Sequence, residues 1–314
     1  MISALISIIL TLSLLLACGY LCRKIHLIDQ ALSKGLSRLI MYLGQPMLIV
    51  ASLAGPDNNP TNTVLAWKSL IIGFVVHGLL ALVAFLICQH MKREAQTKIF
   101  EFSLVFANCG FIGFPLMDAI MGSEMGSFMG AFYFVSFHLF LWTWGILILG
   151  RNRDDIVMTP KKAILNFGTI PCAIGIALYF LKPILALPPF VTDFISYLGG
   201  LCTPISVLVT GGLLATIPLH KMFMDKKLYL HSLIKLLILP LIFCVLARLC
   251  GLETQFVLLI TAMVGVPSAS AVTMLAEIHD VEPGYASETV GMTSILSIAS
   301  LPVVMMFAQW ITSI

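Results

Sequence analysis

Apolar stretches separated by short polar punctuation recur along the whole chain, near residues 2–22, 34–54, 68–90, 98–121, 128–149, 163–182, 192–216, 228–250, 254–279 and 285–311. A hydrocarbon layer about 30 Å thick asks for about 20 apolar residues per helical crossing. Lipid offers no water to the backbone, so each crossing must satisfy its own N–H and C=O groups as a helix. The pattern predicts an all-α polytopic membrane protein with ten transmembrane helices. Arg23 and Lys24 follow the first apolar run rather than precede it, which predicts a first span and not a secretory leader.

Composition sharpens this reading. The 314 residues are 59% hydrophobic and 11% charged, against about 25% charged in soluble domains. The net charge of +3 is small and the basic residues sit in short inter-helix segments, which argues against a nucleic-acid partner. The eight cysteines lie in or beside apolar runs without Cys-x-x-Cys pairs or metal-ligand spacing, and are expected to pack as small apolar residues. No metal site and no cofactor is expected.

Charge sets the expected orientation. One set of alternate loops carries Arg23, Lys24, Lys34 and Arg38, then Lys92, Arg93 and Lys98, then Arg151, Arg153, Lys161 and Lys162, then Lys221, Lys226, Lys227 and Lys235; the opposite set holds only Lys68, Lys182 and Arg248. Basic loops stay cytoplasmic. The prediction is a multi-pass protein of the cytoplasmic (inner) membrane with both termini outside.

The punctuation also repeats. Pro46 and Pro204 stand 158 residues apart, and Pro115 and Pro267 stand 152 apart, with the surrounding spans in the same order. An odd number of spans per half makes the second copy enter from the opposite side, which predicts two inverted five-helix repeats, 1–150 and 163–314, joined by a cytoplasmic linker, 151–162.

The candidate site lies in spans four and nine. Asn108-Cys109-Gly110-Phe111-Ile112-Gly113-Phe114-Pro115 and Gly265-Val266-Pro267-Ser268-Ala269-Ser270 both combine glycine and proline at mid-span, so both helices are expected to break there. A half-helix N-terminus after each proline would present free N–H groups and positive partial charge to an anion. The candidate substrate-binding residues are Asn108, Gly110, Gly113, Pro115, Gly265, Pro267, Ser268 and Ser270. The competing reading is a pair of packing kinks. Among ionisable residues within the spans, Asp118 and His138 are the candidates for proton or ion coupling. Glu101, Lys235 and Glu277 fall near span ends and are expected to snorkel to the interface. With no Lys or Arg expected at mid-membrane, the ligand leans toward a monoanion.

The Asn108-x-Gly110-Phe111-x-Gly113-x-Pro115-Leu116 pattern, the Trp142-Thr143-Trp144-Gly145 stretch and the Pro267 break resemble the auxin efflux carrier family in its short bacterial form, over essentially the whole chain. The resemblance implies the ten-helix fold shared with bile-acid/sodium symporters and sodium/proton antiporters. It implies a scaffold of spans 1, 2, 6 and 7, often a homodimer interface, and a moving transport domain of spans 3–5 and 8–10 in which broken spans four and nine cross. The family's carboxylate-binding crossover maps onto Asn108, Pro115 and Pro267. Its bacterial relatives are permeases for malate, malonate or similar carboxylates.

Function is therefore expected to be secondary transport of a small organic anion, a mono- or dicarboxylate, by alternating access of elevator type. The alternatives are a sodium- or proton-coupled symporter of bile-acid type, or a passive channel or sensor. An ATP-driven pump and an intramembrane enzyme are disfavoured, since no Walker sequence, His-Glu-x-x-His or Gly-x-Ser-x-Gly is present.

Overall fold

The computed structural model describes residues 2–55, 57–91, 95–121, 123–156, 159, 161, 165–185, 187–216 and 219–313, without the side chains of residues 2–6, 8, 9, 111, 115, 123, 124, 127, 219 and 221. Lys92, Arg93, Lys162, part of the 151–162 linker and the side chains of Pro115 and Lys221 thus lie outside the described parts.

The helices are α1 (Ile2–Lys24), α2 (Gln30–Ala54), α3 (Pro60–Cys88), α4 (Ala95–Val105), α5 (Phe114–Met121), α6 (Ser123–Phe140), α7 (Thr169–Leu181), α8 (Pro189–Leu214), α9 (Lys226–Leu249), α10 (Thr254–Gly265), α11 (Ser270–Ile278) and α12 (Pro283–Ser313). A π-turn at Leu141–Gly145 carries α6 on to Ile146–Gly150. Among the described residues, α2, α3, Phe128–Gly150, α8, α9 and α12 are each long and apolar enough to cross a membrane, while α7 and α10 are shorter apolar helices. The protein is an all-helical, polytopic membrane protein.

Local chemistry explains where helices begin. Asp29 Oδ1 accepts from the Leu32 amide at 2.7 Å and starts α2 ahead of the expected residue 34. Asn59 Oδ1 accepts from Asn62 N at 2.9 Å, and Pro60 occupies the first helical position, where its missing N–H is no loss. That pair of signals starts α3 two turns ahead of the apolar run, which begins at Lys68. Lys68 then binds Glu253 ahead of α10, and Lys182 binds Asp57 at 2.8 Å. Hydrogen bonds from these lysines hold both carboxyls below their usual range. The stabilisation each pair adds is present at neutral pH and fades as pH falls through the lowered values; both pairs are exposed, so salt screens them.

Proline is absorbed by widening the helix rather than by breaking it. The π-turns Ile40–Gly44, Cys109–Gly113 and Ile234–Ile238 each end two residues before a proline, Pro46, Pro115 and Pro240. A proline ring clashes with the carbonyl four residues back, and a π-turn moves that carbonyl away. Pro115 therefore does not open span four as expected. It is the second residue of α5, and the true interruption falls earlier, at Phe106–Asn108. Span nine does open at its proline, between Gly265 and Ser270.

Two sets of close helix contacts stand out. Helix α1 lies along the second half of α8, and the second half of α2 packs on α7 and on the first half of α8. Separately, α6 packs on α3 and α5, and α9 on α10. The α1–α8 contact depends on two glycines, because a Cβ on Gly19 would strike the Leu208 carbonyl and one on Gly211 the Leu16 carbonyl. Backbone cannot swing aside as a side chain can. Gly211→Ala is expected to destabilise the fold by about 1–3 kcal/mol through overpacking, read as a lowered Tm in detergent. Gly200→Ala in the same helix, with open space around it, should change stability by no more than about 0.5 kcal/mol.

Candidate functional site

The two interruptions meet. Asn108 N donates to Pro267 O at 2.7 Å and Ala269 N donates to Phe106 O at 2.9 Å, forming an isolated antiparallel bridge between Ala107 and Ser268. Opening a helix inside a membrane frees donors and acceptors that must find partners, and each break here supplies them to the other. Ser268 N donates to Thr293 Oγ1 of α12 at 3.2 Å, and Ser268 Oγ donates to Ser103 O of α4 at 3.1 Å. Cys109 Sγ donates to Met263 O of α10 at 3.4 Å.

One more carbonyl has an ionisable partner. In an unbroken helix Leu104 O would accept from Asn108 N, which is committed to Pro267; Lys235 Nζ of α9 donates to Leu104 O instead, at 3.0 Å. Lys235 is 0% exposed. This corrects the expectation that it snorkels to the interface: the side chain turns inward to the opened backbone of span four. One turn earlier on α9, His231 Nε2 shares a 2.7 Å hydrogen bond with Ser103 Oγ, and His231 is buried too.

Glu101 and Glu277 also fail to reach the interface. Glu101 is fully buried and receives Arg151 through both oxygens, at 2.7 and 3.0 Å, so the arginine comes in to the carboxylate. Glu277 on α11 is buried and accepts from Ser37 Oγ of α2 at 2.6 Å. Beside it, Lys34 of α2 binds Asp280 at 2.9 Å.

A cleft of about 190 Å³ opens on one side of the meeting point. It is lined by Asn108, Ile112 and Ser270, by Leu12, Ser13 and Leu16 of α1, by Val207 and Thr210 of α8, and by Val290, Ser294 and Ile295 of α12. Neutral polar groups are spaced around an otherwise apolar lining, which suits a small molecule with one polar end. The volume is that of a few-carbon organic acid rather than a peptide or lipid.

The sequence profile of the family described as membrane transport protein, the auxin efflux carrier family, matches residues 4–166 and 156–305. The chain belongs to this family. It is also similar, at 24% identity over 299 residues covering 94% of this chain and 95% of the other, to an uncharacterized transporter of Methanothermobacter thermautotrophicus. Family membership and this likeness make the protein a membrane transporter rather than an enzyme.

In this membrane transport protein the residues singled out from sequence separate into three groups. Asn108, 6% exposed, and Ser270, 2% exposed, face the cleft. Pro267 and Ser268 build the backbone junction behind it, and Gly265 ends α10 just before it. Gly110 and Gly113 lie in the π-turn; a Cβ would stand 2.8 Å from the Phe134 ring at the first and 2.8 Å from Met263 Sδ at the second, so they permit close packing. Pro115 follows that turn, and its ring lies outside the described side chains. The coupling candidates Asp118 and His138 are absent from the cleft lining. His138 is fully buried against Phe134 and Phe137, and neither ring nitrogen has a hydrogen-bond partner. Thr210, Ser294 and Lys235 were not singled out as site residues. Only the serine-and-threonine content of α8 and α12 could have pointed to the first two.

Proposed function

We propose that the protein is a secondary carrier of a small organic anion, a mono- or dicarboxylate, across the cytoplasmic membrane. The cleft that holds Asn108 and Ser270 where the two interrupted helices meet carries this reading. Ser270 begins α11, so the cleft faces the positive end of that helix, and Asn108 adds neutral hydrogen-bonding capacity beside it. Part of the lining belongs to α1 and α8, helices of the other set of contacts, so the ligand sits between two bodies. In our reading α1, α2, α7 and α8 form a scaffold that dimerises and meets lipid, and the rest of the chain moves against it as in an elevator. We assign ten spans in two inverted repeats, with both termini outside. Motion would break the Ser37–Glu277 and Lys34–Asp280 contacts between α2 and the end of α11.

Uptake of labelled malate, malonate and indole-3-acetate into proteoliposomes tests the assignment. Wild type should take up at least one of them saturably and show counterflow, which a channel would not. Asn108→Ala removes a hydrogen bond to a charged group, worth about 1.5–3 kcal/mol, and should weaken uptake by about 10- to 150-fold. Absence of uptake for all three would remove the substrate class, and full activity in Asn108→Ala would move the site elsewhere.

A further inference from the structure

As an ammonium, Lys235 would carry a charge that no described residue balances. Its Nζ has three possible protons, and among the described residues it has one acceptor, the neutral Leu104 carbonyl, and no ion pair. The ionisable groups facing it do not supply an anion. His231 precedes it by one turn on α9, His77 on α3 and the thiol of Cys109 interact with it electrostatically, and Glu101 on α4 is already bound by Arg151. Helix α10 carries no ionisable side chain, and α12 carries only Tyr285 and Glu288, both in its first two turns. A lone ammonium in such a place is unfavourable unless an anion joins it.

The site provides for both states of the amine. Neutral –NH₂ and –NH₃⁺ each keep an N–H for Leu104 O, so losing or gaining a proton leaves the contact in place. Leu104 stands four residues before Asn108, which lines the cleft, with the opened stretch Phe106–Asn108 between them. An anion in the cleft and a proton on Lys235 therefore favour one another. At separations on the order of 10 Å and an effective dielectric of about 20, the mutual gain is about tenfold in either affinity.

We propose that Lys235 takes up a proton when an organic anion binds in the adjoining cleft, so that the anion and the proton cross together. The step is R–NH₂ + H⁺ + A⁻ → R–NH₃⁺···A⁻, reversed on release at the other face, with the proton drawn from and returned to water. This rests on the cleft being the anion site. It assigns coupling to Lys235 rather than to Asp118 and His138, because its amine bonds to the carbonyl left free where span four opens.

The test is calorimetric titration of the full-length protein in lipid nanodiscs with malate, malonate and indole-3-acetate, in two buffers of different ionisation enthalpy. Wild type should absorb up to about half a proton per anion near the pH of strongest linkage, and its affinity should fall by about tenfold in all as the free amine comes to dominate. Lys235→Arg, permanently charged, should bind with no proton uptake and a flat pH profile. Lys235→Met should also show none and bind about tenfold more weakly. Binding by wild type with no proton uptake at any pH overturns the proposal, as does uptake that persists in either variant. Failure of wild type to bind any of the three acids overturns the anion-site reading instead, and the coupling with it; wild-type proton counts alone decide the first question if a variant does not fold.

Discussion

Arg151→Ala is expected to lower stability by about 3–5 kcal/mol, because it leaves the Glu101 carboxylate buried without a partner. Glu101 is 0% exposed, and Arg151, beyond the end of the sixth helix, reaches it with a two-point hydrogen bond while its guanidinium lies over the Phe85 ring. Those hydrogen bonds hold the guanidinium still more firmly protonated. The effect should be unequal between partners. Glu101→Gln leaves an arginine that is one-third exposed and can turn to water, so it should cost clearly less. The double variant should be milder than Arg151→Ala alone. Thermal unfolding of the four proteins in one detergent gives the comparison, and equal losses in the two single variants would show that the carboxylate is not the group at risk.

Ser294→Trp should abolish uptake while leaving the fold intact. Ser294 lines the cleft from α12, is half-buried, and satisfies its own hydroxyl by donating to Val290 O at 2.7 Å. An indole projected into about 190 Å³ would occupy the space intended for the ligand. Displacing a packed aromatic group costs about 3 kcal/mol or more, which corresponds to a loss of about 100-fold or more in apparent affinity. Ser294→Ala, which removes only a locally satisfied hydroxyl, should transport within about twofold of wild type. If the tryptophan variant transports normally, the ligand does not pass through this cleft.

Much of the helix pattern was legible because it follows from a local rule: apolar runs of membrane length have one way to satisfy their backbone. The start of α3 was misplaced by two turns, because the apolar run outweighed the cap signal of Asn59-Pro60. The site was legible in part. Asn108, Pro267 and Ser270, which the structure places at the junction and its cleft, stood out because glycine and proline at mid-span are local signals. Pro115 misled because the same residue can open a helix or be taken up in a π-turn, and the choice depends on whether Phe134 and Met263 leave room around Gly110 and Gly113. Lys235 was misread for a related reason. Its sequence position gives a depth along its own helix, but its acceptor is a carbonyl 131 residues away that exists only because another helix is open.

The junction also constrains how the protein is made. Phe106 and Asn108 are synthesised some 160 residues before the Pro267–Ala269 segment that completes their hydrogen bonds. At roughly 5–20 residues per second that is a wait of about 10–30 s. During that time the nascent first half has an open helix and no partner in the bilayer. It must linger beside the insertion machinery or in a shallower position, then sink to its final depth when the second half arrives. Ribosomes stalled before residue 267 should therefore hold α4 and α5 accessible to water-borne thiol reagents at Cys109, a residue sealed in the finished protein.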